Sequence, residues 1–362
     1  MKIKELQTQL QKHKIDCAVF FNLEEHTDPN FFYFVQHEVS GCLVVPQTGV
    51  PYIIASVMEA EKTCTAGFPV VVYKKEFMET LAVKIGKKKN TRVGIDESSV
   101  TLAFFSALKN GLKGSSGCSF ADTSGICGTL RMIKTTQEEG HLRKACEASD
   151  EILETCIDQW NQFKTEREVY DFLVAETHKH GLVISFTPIV ASGSGASQPH
   201  YQSKNIPLKK GFCVIDFGVK YQGYCSDTTR TIYLGEPTEK ERKLYELVLS
   251  AQEKAVVQAK MGMGAKGIKT FGDLHNQCEK ELGAYAKYFV HSLGHGVGVQ
   301  IHEAPAVSKR STIPLQNGVA FTIEPGVYLP GKLGIRIEDT LIMKNKKASL
   351  LTKISKKLIV KK

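Results

Sequence analysis

Short apolar runs alternate with amphipathic stretches over roughly the first 125 residues of the chain. We predict strands at four runs rich in β-branched and aromatic residues: 15–21, 42–45, 52–54 and 70–73. We predict helices at four stretches with spaced apolar residues: 1–10, 56–63, 76–88 and 100–110. This alternation is typical of an α/β domain with a central sheet, and it contains no cluster of acidic residues, histidines or glycines that suggests a site.

The pattern changes at a charged, helix-favouring stretch that covers residues 134–164. Thr135 is placed to cap this helix ahead of Glu138, and we expect the helix to open a second domain. We predict further helices at 166–180, 237–260 and 267–283. We predict strands at 188–191, 211–219, 222–233, 319–323, 334–343 and 357–360. The pattern therefore predicts an α+β protein with two domains, 1–127 and 128–362.

A hairpin is predicted where residues 211–219 return as 223–234 after a short turn. Asp216 and Asp227 lie 11 residues apart, one on each side of this turn. Folding the hairpin brings the two carboxylates near each other, and strand periodicity allows them to share a face. Two such carboxylates repel each other unless a divalent cation lies between them, so the hairpin is a candidate metal site.

Three more polar residues lie beside apolar, strand-like segments farther along the chain. His295 lies in a glycine-rich segment, Glu324 directly follows the predicted strand 319–323, and Glu338 lies inside the predicted strand 334–343. Burying a carboxylate beside apolar residues is costly unless it is paired or metal-bound. With the two aspartates they make four carboxylates and one imidazole, a donor set that suits a two-metal hydrolytic site. Oxygen ligands with one imidazole suit manganese, cobalt, iron or zinc in an open site.

Each of these acidic residues has a simpler explanation when it is taken alone. Asp216 can accept backbone hydrogen bonds at the end of a strand, and Asp227 can be a turn residue. Glu324 precedes a Pro-Gly pair and can be an ordinary turn acid. Glu338 can pair with Arg336, which lies two positions away on the same strand face. The occurrence of all the residues together, in order, is what favours a metal site.

Composition narrows the class of protein. The chain has 362 residues, of which 42% are hydrophobic and 23% charged, as is ordinary for a globular protein. No uninterrupted apolar stretch reaches the roughly 18 residues of a membrane-spanning helix, and the N-terminus lacks the apolar core of a signal peptide. Ten cysteines without a CxxC pair predict reduced thiols, so we expect a cytoplasmic protein with no membrane contact.

The net charge of +9 comes largely from lysines near the C-terminus. They are Lys344, Lys346, Lys347, Lys353, Lys356, Lys357, Lys361 and Lys362. Such a tail can contact nucleic acid or an acidic surface, or it can be a solvated terminus. We favour the solvated terminus and predict no nucleic-acid partner, because no aromatic or RNA-binding signature accompanies the lysines.

Together, the motifs resemble those of the pita-bread metallopeptidases that cleave at Xaa-Pro bonds, the prolidases and aminopeptidases P. The matching segments are 188–193 with 199–201, 214–218, 226–231, 291–298 with 301–305, 323–328 and 334–339. Residues 130–134 resemble the start of the helix that joins the two domains of that family. The resemblance covers nearly the whole chain. It implies an α+β fold in which an N-terminal creatinase-like α/β domain is followed by a C-terminal pita-bread domain.

The resemblance also implies a metal-binding role for each matching residue. Asp216 and Asp227 would hold one of two divalent metal ions, with Asp227 also bridging. His295 and Glu324 would hold the other ion, and Glu338 would bridge the pair. We expect manganese or cobalt, ahead of zinc or iron.

The remaining implied roles concern the substrate. Glu324 would also be the general acid/base. His291 would lie near the scissile bond, and His302 would bind substrate and stabilise the developing oxyanion. The other implied substrate-side residues are His200, Tyr328 and Arg336.

The implied activity is hydrolysis of the Xaa-Pro bond in small proline-containing peptides. We favour an Xaa-Pro dipeptidase over an Xaa-Pro aminopeptidase, because only 14 positions separate Glu324 from Glu338 and leave little room for an insertion. A methionine aminopeptidase would not need the N-terminal domain. A non-catalytic binding module or a creatine-type hydrolase would not need all five metal ligands. The resemblance further implies a homodimer in which the N-terminal domain helps to close a neighbour's cleft.

Overall fold

The computed structural model describes residues 2–24, 26–74, 76–85, 90–112, 117–262 and 268–362. The chain divides into two units, Met1–Arg131 and Met132–Lys362. The predicted domain boundary after residue 127 and the division after Arg131 both fall within one helix, Ser124–Met132. Among the described helices, none combines the length and apolar content that a membrane crossing requires.

The first unit is built around one mixed sheet. Its strands are β1 (Cys17–Leu23), β2 (His26–Thr27), β3 (Gly41–Pro46), β4 (Tyr52–Ser56), β5 (Val70–Tyr73), β6 (Arg92–Ile95) and β7 (Ser119–Asp122). Its helices are α1 (Lys2–Lys12), α2 (Pro29–Val35), α3 (Ala60–Cys64), α4 (Phe77–Ile85), α5 (Leu102–Leu112) and α6 (Ser124–Met132). The strand order is β5-β4-β3-β1-β6-β7, with β2 paired to β1. Parallel pairs such as β1–β6 and β6–β7 stand beside the antiparallel pairs β1–β3 and β3–β4.

The strands and helices predicted for this unit are present, with shifted ends. The predicted helix 76–88 is seen as α4, and residues 86–88 lie outside the described part of the chain. The pattern missed α2, α6, β6 and β7. The two strands have only four residues each, too few for a periodicity to stand out. Helix α2 does carry a start signal, since Asp28 accepts a hydrogen bond from Asn30 N ahead of Pro29.

The second unit combines four long helices with several short sheets. The helices are α7 (Thr136–Asp158), α8 (Glu166–Lys179), α9 (Glu239–Met261) and α10 (Phe271–Leu282). Short 3₁₀ segments lie at Trp160–Gln162, Gly193–Ser197 and Gly283–Tyr288. Each long helix begins with a threonine N-cap in a capping box: Thr135, Thr165, Thr238 and Thr270. The caps satisfy backbone N–H groups that the first helical turn leaves without partners.

The described residues of this unit form four sheets. The strands are β8 (Val183–Ile184), β9 (Ile189–Ser192), β10 (Gly211–Phe217), β11 (Val219–Tyr221), β12 (Tyr224–Cys225), β13 (Thr228–Leu234), β14 (Gly294–Gly296), β15 (Glu303–Val307), β16 (Ala320–Ile323), β17 (Gly326–Leu329), β18 (Leu333–Arg336), β19 (Asp339–Lys344), β20 (Lys347–Leu350) and β21 (Val360–Lys361). Their orders are β21-β13-β10-β9, β12-β11-β8, β15-β14-β16-β19-β20 and β17-β18. The core lies between the sheets and α9 and α10, where Phe271 and Phe321 pack edge to face at 5.0 Å.

Three predicted strands, 211–219, 222–233 and 334–343, are each divided in the structure. The ladder between β10 and β13 ends with the pair Phe217–Thr228, and residues 219–225 form the separate pair β11–β12. Only glycine fits at position 218 beside this end, because a Cβ there would lie 2.0 Å from Ser226 O. The predicted strand 334–343 is divided between β18, which pairs with β17, and β19, which pairs with β16. Glu338 lies at that division, between two sheets rather than inside one strand.

The lysine-rich tail is only partly solvated, which corrects the expectation for Lys356. Its Nζ donates to Asp339 Oδ2 at 2.7 Å and to Gln252 Oε1 at 2.8 Å. Lys353 and Lys344 form exposed ion pairs with acidic residues of α7. Part of the positive charge that stands out in the sequence is therefore neutralised within this unit.

Candidate metal centre

A cavity of about 690 Å³ in the second unit collects nearly all of the predicted site residues. Those that line it are His200, Asp216, Asp227, His291, His295, His302, Glu324, Arg336 and Glu338. Tyr328 is 3% exposed and touches both His291 and Arg336. Residues more than 100 positions apart in sequence thus meet at one place, on strands of three different sheets.

The β10–β13 pairing brings the two aspartates together. Asp216 lies opposite Thr229 and Phe217 lies opposite Thr228. Asp227 directly precedes β13, so it continues this register diagonally across from Asp216 and on the same face. The predicted pairing of the two segments is confirmed, and both aspartates line the same cavity.

Close backbone approach positions His295 and Glu324. A Cβ on Gly294 would lie 2.2 Å from Thr322 O, so only glycine allows β14 to come this near to β16. His295 N then donates to Thr322 Oγ1 at 3.1 Å, and Thr322 Oγ1 donates to Glu324 Oε1 at 3.1 Å. One hydroxyl therefore links the backbone of the histidine to the side chain of the glutamate.

The imidazole of His295 is oriented by its own backbone. Its Nδ1 donates to the Gly296 carbonyl at 3.1 Å, which leaves Nε2 directed at the carboxylates. Nε2 lies 3.2 Å from Glu324 Oε1 and 3.4 Å from Asp227 Oδ2. A nitrogen lone pair facing two carboxylates requires a cation between them, whether a proton or a metal ion.

Three carboxylates of the cavity each have a buried oxygen without a hydrogen-bond partner. These atoms are Asp216 Oδ1, Asp227 Oδ1 and Glu338 Oε1. Single ligand atoms of Asp227, His295 and Glu338 also lie within 4.8 Å of one another. Buried polar atoms are normally satisfied, and unpartnered carboxylate oxygens that converge with an imidazole are the donors a divalent cation takes. The residues therefore fit a bound metal ion.

The electrostatics agree with a cation site. Burial raises the pKa of Asp227 to about 7, with the hydrogen bond to His295 opposing the shift and the charge of Asp216 adding to it. Burial, followed by the charges of Asp227 and Glu324, raises the pKa of Glu338 well above its usual value. Burial also opposes ionisation of Glu324, but the contacts with His295 outweigh it and lower that pKa to about 2. The pocket holds more negative charge than its protein partners neutralise.

Arg336 lines the cavity, but its guanidinium donates to protein groups. Its Nη2 donates to Asp216 Oδ2 at 2.7 Å, and its Nη1 donates to Tyr328 OH at 2.8 Å. Its Nε donates to Thr229 Oγ1 at 3.1 Å. The alternative pairing of Arg336 with Glu338 is not seen, because Glu338 Oε2 accepts instead from Thr229 Oγ1 at 2.8 Å.

Hydrogen bonds define the tautomer of His291. Its Nδ1 donates to the Ser292 carbonyl at 2.8 Å, so Nε2 is the acceptor for Tyr328 OH at 3.1 Å. Burial lowers the pKa of His291, which favours this neutral form. Arg336, Tyr328 and His291 thus form a directed chain that ends at the cavity wall.

The two other predicted histidines are exposed on the cavity lining. The ring of His302 packs edge to face against His295, with centroids 4.3 Å apart. Burial, and then the charge of His295, lowers the pKa of His302. His200 lies on the loop after the 3₁₀ segment Gly193–Ser197. Both side chains are free to face an incoming ligand.

Sequence reasoning missed two threonines that support the acidic residues. Thr229 donates to Glu338 and accepts from Arg336, while Thr322 links His295 to Glu324. Each lies two residues from a predicted ligand, at 227–229 and 322–324, so strand periodicity was the available signal. Their other partners, His295, Arg336 and Glu338, lie 27 to 109 positions away, which hid the role.

Comparison with known proteins identifies the family. The family described as metallopeptidase family M24 matches residues 140–345, and the creatinase/prolidase N-terminal domain matches residues 2–133. The chain therefore belongs to the M24 metallopeptidases, with a creatinase-type N-terminal domain. The predicted fold class, a creatinase-like domain followed by a pita-bread domain, is confirmed.

Individual relatives are similar over most of their length. An Xaa-Pro dipeptidase of Pyrococcus furiosus is 39% identical over 80% of this chain and 81% of its own. The structure of an Xaa-Pro dipeptidase from Bacillus anthracis superposes with a TM-score of 0.88 at 30% identity, covering 99% of both chains. An X-Pro aminopeptidase from Thermotoga maritima gives a TM-score of 0.86 at 29% identity, covering 98% of this chain and 100% of its own.

Proposed function

We propose that this protein is an Xaa-Pro dipeptidase that uses two divalent metal ions. The observation that carries the proposal is the set of unpartnered buried carboxylate oxygens on Asp216, Asp227 and Glu338 beside His295, in the cavity of an M24 metallopeptidase. The similarity to an Xaa-Pro dipeptidase over four-fifths of both chains supports the choice of substrate. Family membership also argues against a non-catalytic binding module.

We assign the metal ligands as follows, in line with the contacts of each side chain. Asp216 and Asp227 share a face of the β10–β13 pair and would hold one ion, with Asp227 as a candidate ligand of both. His295 and Glu324 lie within 3.2 Å of each other and would hold the second ion. Glu338, 1% exposed and between two sheets, would be shared by the two ions. The oxygen-rich donor set with one imidazole favours manganese or cobalt over softer metals.

Divalent ions in such a site polarise a carbonyl and lower the pKa of water toward neutrality. The protein's own part of the chemistry is proton transfer at Glu324. This carboxylate has a pKa of about 2 and is ionised at neutral pH, so it can accept a proton from the attacking water. The same proton is then available to the proline nitrogen, which must be protonated in order to leave.

The histidines and the Arg336 chain provide positioning and oxyanion stabilisation. His302 and His200 face the cavity as possible hydrogen-bond donors for the scissile carbonyl and the substrate termini. His291 faces the reacting bond with its tautomer held by Ser292 and Tyr328. Arg336 holds Asp216 and Tyr328 in place, and through Tyr328 it helps to orient His291, which lines the cavity.

A second candidate is Xaa-Pro aminopeptidase activity on longer peptides. The T. maritima enzyme of that name shares the fold over the whole chain, so the fold does not separate the two activities. The difference lies in whether the cavity accepts residues after the proline. We favour the dipeptidase because Glu338 follows Glu324 by only 14 positions, which leaves little room for an insertion.

The test is hydrolysis by purified protein with manganese or cobalt, and again with chelator. Gly-Pro and Met-Pro report dipeptidase activity, Ala-Pro-Ala reports cleavage before an internal proline, and Gly-Ala is the control without proline. We expect chelator-sensitive cleavage of the two Xaa-Pro dipeptides only. Cleavage of Ala-Pro-Ala between alanine and proline would establish the aminopeptidase instead. No chelator-sensitive cleavage of any substrate would contradict both candidates.

We propose further that the protein works in a reducing compartment, the cytoplasm, as a homodimer. All ten cysteines are free thiols, nine of them at least partly shielded from solvent, which suits such a compartment. The dimer is tested by light scattering, in which a monomer mass would contradict it.

A further inference from the structure

His275 lies on the buried face of α10, in a stripe that is otherwise largely apolar. Other side chains of this face are Phe271, Leu274, Cys278 and Leu282. His275 itself is only 7% exposed. Burying an imidazole costs free energy unless its nitrogens are hydrogen-bonded, so the contacts of the ring must explain why a histidine stands there.

Both ring nitrogens bond to backbone groups beside the metal centre. Leu293 N donates to His275 Nδ1 at 3.1 Å. The ring also bonds the carbonyl of Val307. Because a backbone N–H can only donate, Nδ1 carries no proton, and the proton that reaches Val307 is on Nε2. The neutral Nε2–H tautomer satisfies both nitrogens at once.

These two backbone groups lie at the end of one ladder. Leu293 directly precedes β14, and the next residue, Gly294, pairs with Val307 of β15. The imidazole therefore bridges the strands β14 and β15 where their ladder ends. Burial lowers the pKa of His275, which agrees with the neutral form in this position.

Leu293 connects His275 to the reacting groups. The carbonyl of Leu293 accepts from Glu324 N at 2.8 Å. Leu293 also lies two residues from His291 on one side and two residues from His295 on the other. A fixed Leu293 thus constrains the backbone of a ligand, of the proposed acid/base and of a cavity histidine.

The ring of His275 has a second link to the cavity. It stacks on Phe289, with centroids 5.3 Å apart, and Phe289 in turn packs edge to face against His291 at 5.1 Å. His275 is not among the residues that line the cavity. Its influence on the reaction must pass through Leu293 and Phe289.

We infer that His275 is a positioning residue of the metal centre, holding Leu293 so that His291, His295 and Glu324 keep their alignment. The inference rests on the proposed function for its kinetic test, whereas its metal-binding and tautomer tests do not. A residue that served packing alone would need the volume of the ring and not the acceptor at Nδ1.

Two substitutions separate the acceptor from the donor. In His275→Asn, Oδ1 stands where Nδ1 lies, so the bond from Leu293 is kept and the bond to Val307 is lost. In His275→Gln, the longer side chain reaches Val307 and the acceptor for Leu293 is lost. We expect His275→Gln to lower kcat by about ten- to a hundredfold with little change in KM, and to weaken manganese binding by a similar factor. We expect His275→Asn to keep a kcat and a manganese affinity close to those of the wild type.

The two variants control for each other, since each loses one buried hydrogen bond, and thermal midpoints check that their stabilities match. The inference is wrong if His275→Gln keeps the wild-type kcat and manganese affinity, or if both quantities fall equally in His275→Asn and His275→Gln. Manganese titration without substrate distinguishes these outcomes even if no Xaa-Pro peptide is cleaved. That separates failure of this inference from failure of the proposed function.

A measurement on the unmodified protein covers the case in which the variants do not fold. Long-range ¹H–¹⁵N spectra of ¹⁵N-histidine-labelled protein distinguish the two neutral tautomers and the imidazolium. We expect His275 as the Nε2–H tautomer at neutral pH. An Nδ1–H tautomer or an imidazolium would remove the acceptor for Leu293 and overturn the inference.

Discussion

Arg336 Nη2 donates to Asp216 Oδ2 over 2.7 Å, and the same guanidinium donates to Tyr328 and Thr229. Arg336 is 4% exposed, and each of its three side-chain nitrogens donates to a protein acceptor. An arginine in that state is better suited to holding a metal ligand in place than to capturing a substrate carboxylate. The two roles lead to different kinetics.

Arg336→Lys keeps the charge but cannot serve three acceptors in a plane. We expect kcat to fall by about ten- to a hundredfold and manganese binding to weaken, with a smaller change in KM, because Asp216 loses its fixed partner. Steady-state kinetics on Gly-Pro and a manganese titration check this. Arg310→Lys, at an exposed arginine, is the matched control. A rise in KM at unchanged kcat would show that Arg336 binds substrate directly.

Glu324→Gln keeps the size of the side chain and an oxygen for Thr322, and removes the charge. We expect kcat to fall at least about a hundredfold, because the variant cannot accept a proton from water. Bound metal should also decrease, as measured by elemental analysis after dialysis. Glu239→Gln at an exposed position of α9 is the control. Activity near the wild-type value would mean that Glu324 is neither a ligand nor the acid/base.

Metal affinity should increase with pH. Burial raises the pKa of Asp227 from 3.8 to about 7, so below that pH the metal-free protein holds a proton that metal binding must displace. We expect apparent affinity for manganese to fall up to about tenfold per pH unit below neutrality for each proton displaced. Calorimetry in buffers of different ionisation enthalpy measures the protons released. An affinity that stays constant from mildly acidic to mildly basic pH would contradict this.

The same shift has a consequence for the metal-free protein. The pKa of Asp227 is about 7 in the folded protein and 3.8 for an unperturbed aspartate, the value expected in the unfolded chain. Between pH 3.8 and about 7 the native state therefore holds more protons than the unfolded state. The free energy of unfolding then decreases as pH rises through this window. Denaturant titrations of protein freed of metal by a chelator should show that decrease at several pH values. Added manganese should make the loss of unfolding free energy smaller at neutral pH.

Lys356→Met should destabilise the second unit. Lys356 Nζ donates to Asp339, which is 1% exposed and lies next to Glu338. Removing the ammonium group leaves the Asp339 carboxylate with one cation fewer. We expect a loss of about 1–3 kcal/mol in the free energy of unfolding, as for a buried hydrogen bond to a charged group.

The control is Lys357→Met, one residue away and exposed, which should change stability by less than about 0.5 kcal/mol. Equal effects of the two variants in denaturant titrations would mean that the tail acts only through its total charge. That result would restore the expectation of a fully solvated tail.

The sequence alone predicted the class of fold and the family, and it supplied the proposed site residues. Helical patterns predicted the long helices α7 to α10, and the cap at Thr135 predicted the start of α7, because capping and amphipathicity are local properties. The five proposed ligands stood out because carboxylates beside apolar runs are costly to bury without a partner. The resemblance to Xaa-Pro peptidases then assigned the roles that composition and spacing left open.

Only the tertiary structure decided how those residues are held. Arg336 binds Asp216 and not Glu338 because β18 and β19 belong to different sheets, which local periodicity does not reveal. Four further residues, Thr229, Thr322, His275 and Lys356, act on partners between 17 and 109 positions away, through hydrogen bonds that no local pattern specifies. Local sequence determines what a side chain can do, whereas long-range strand pairing determines which groups it reaches.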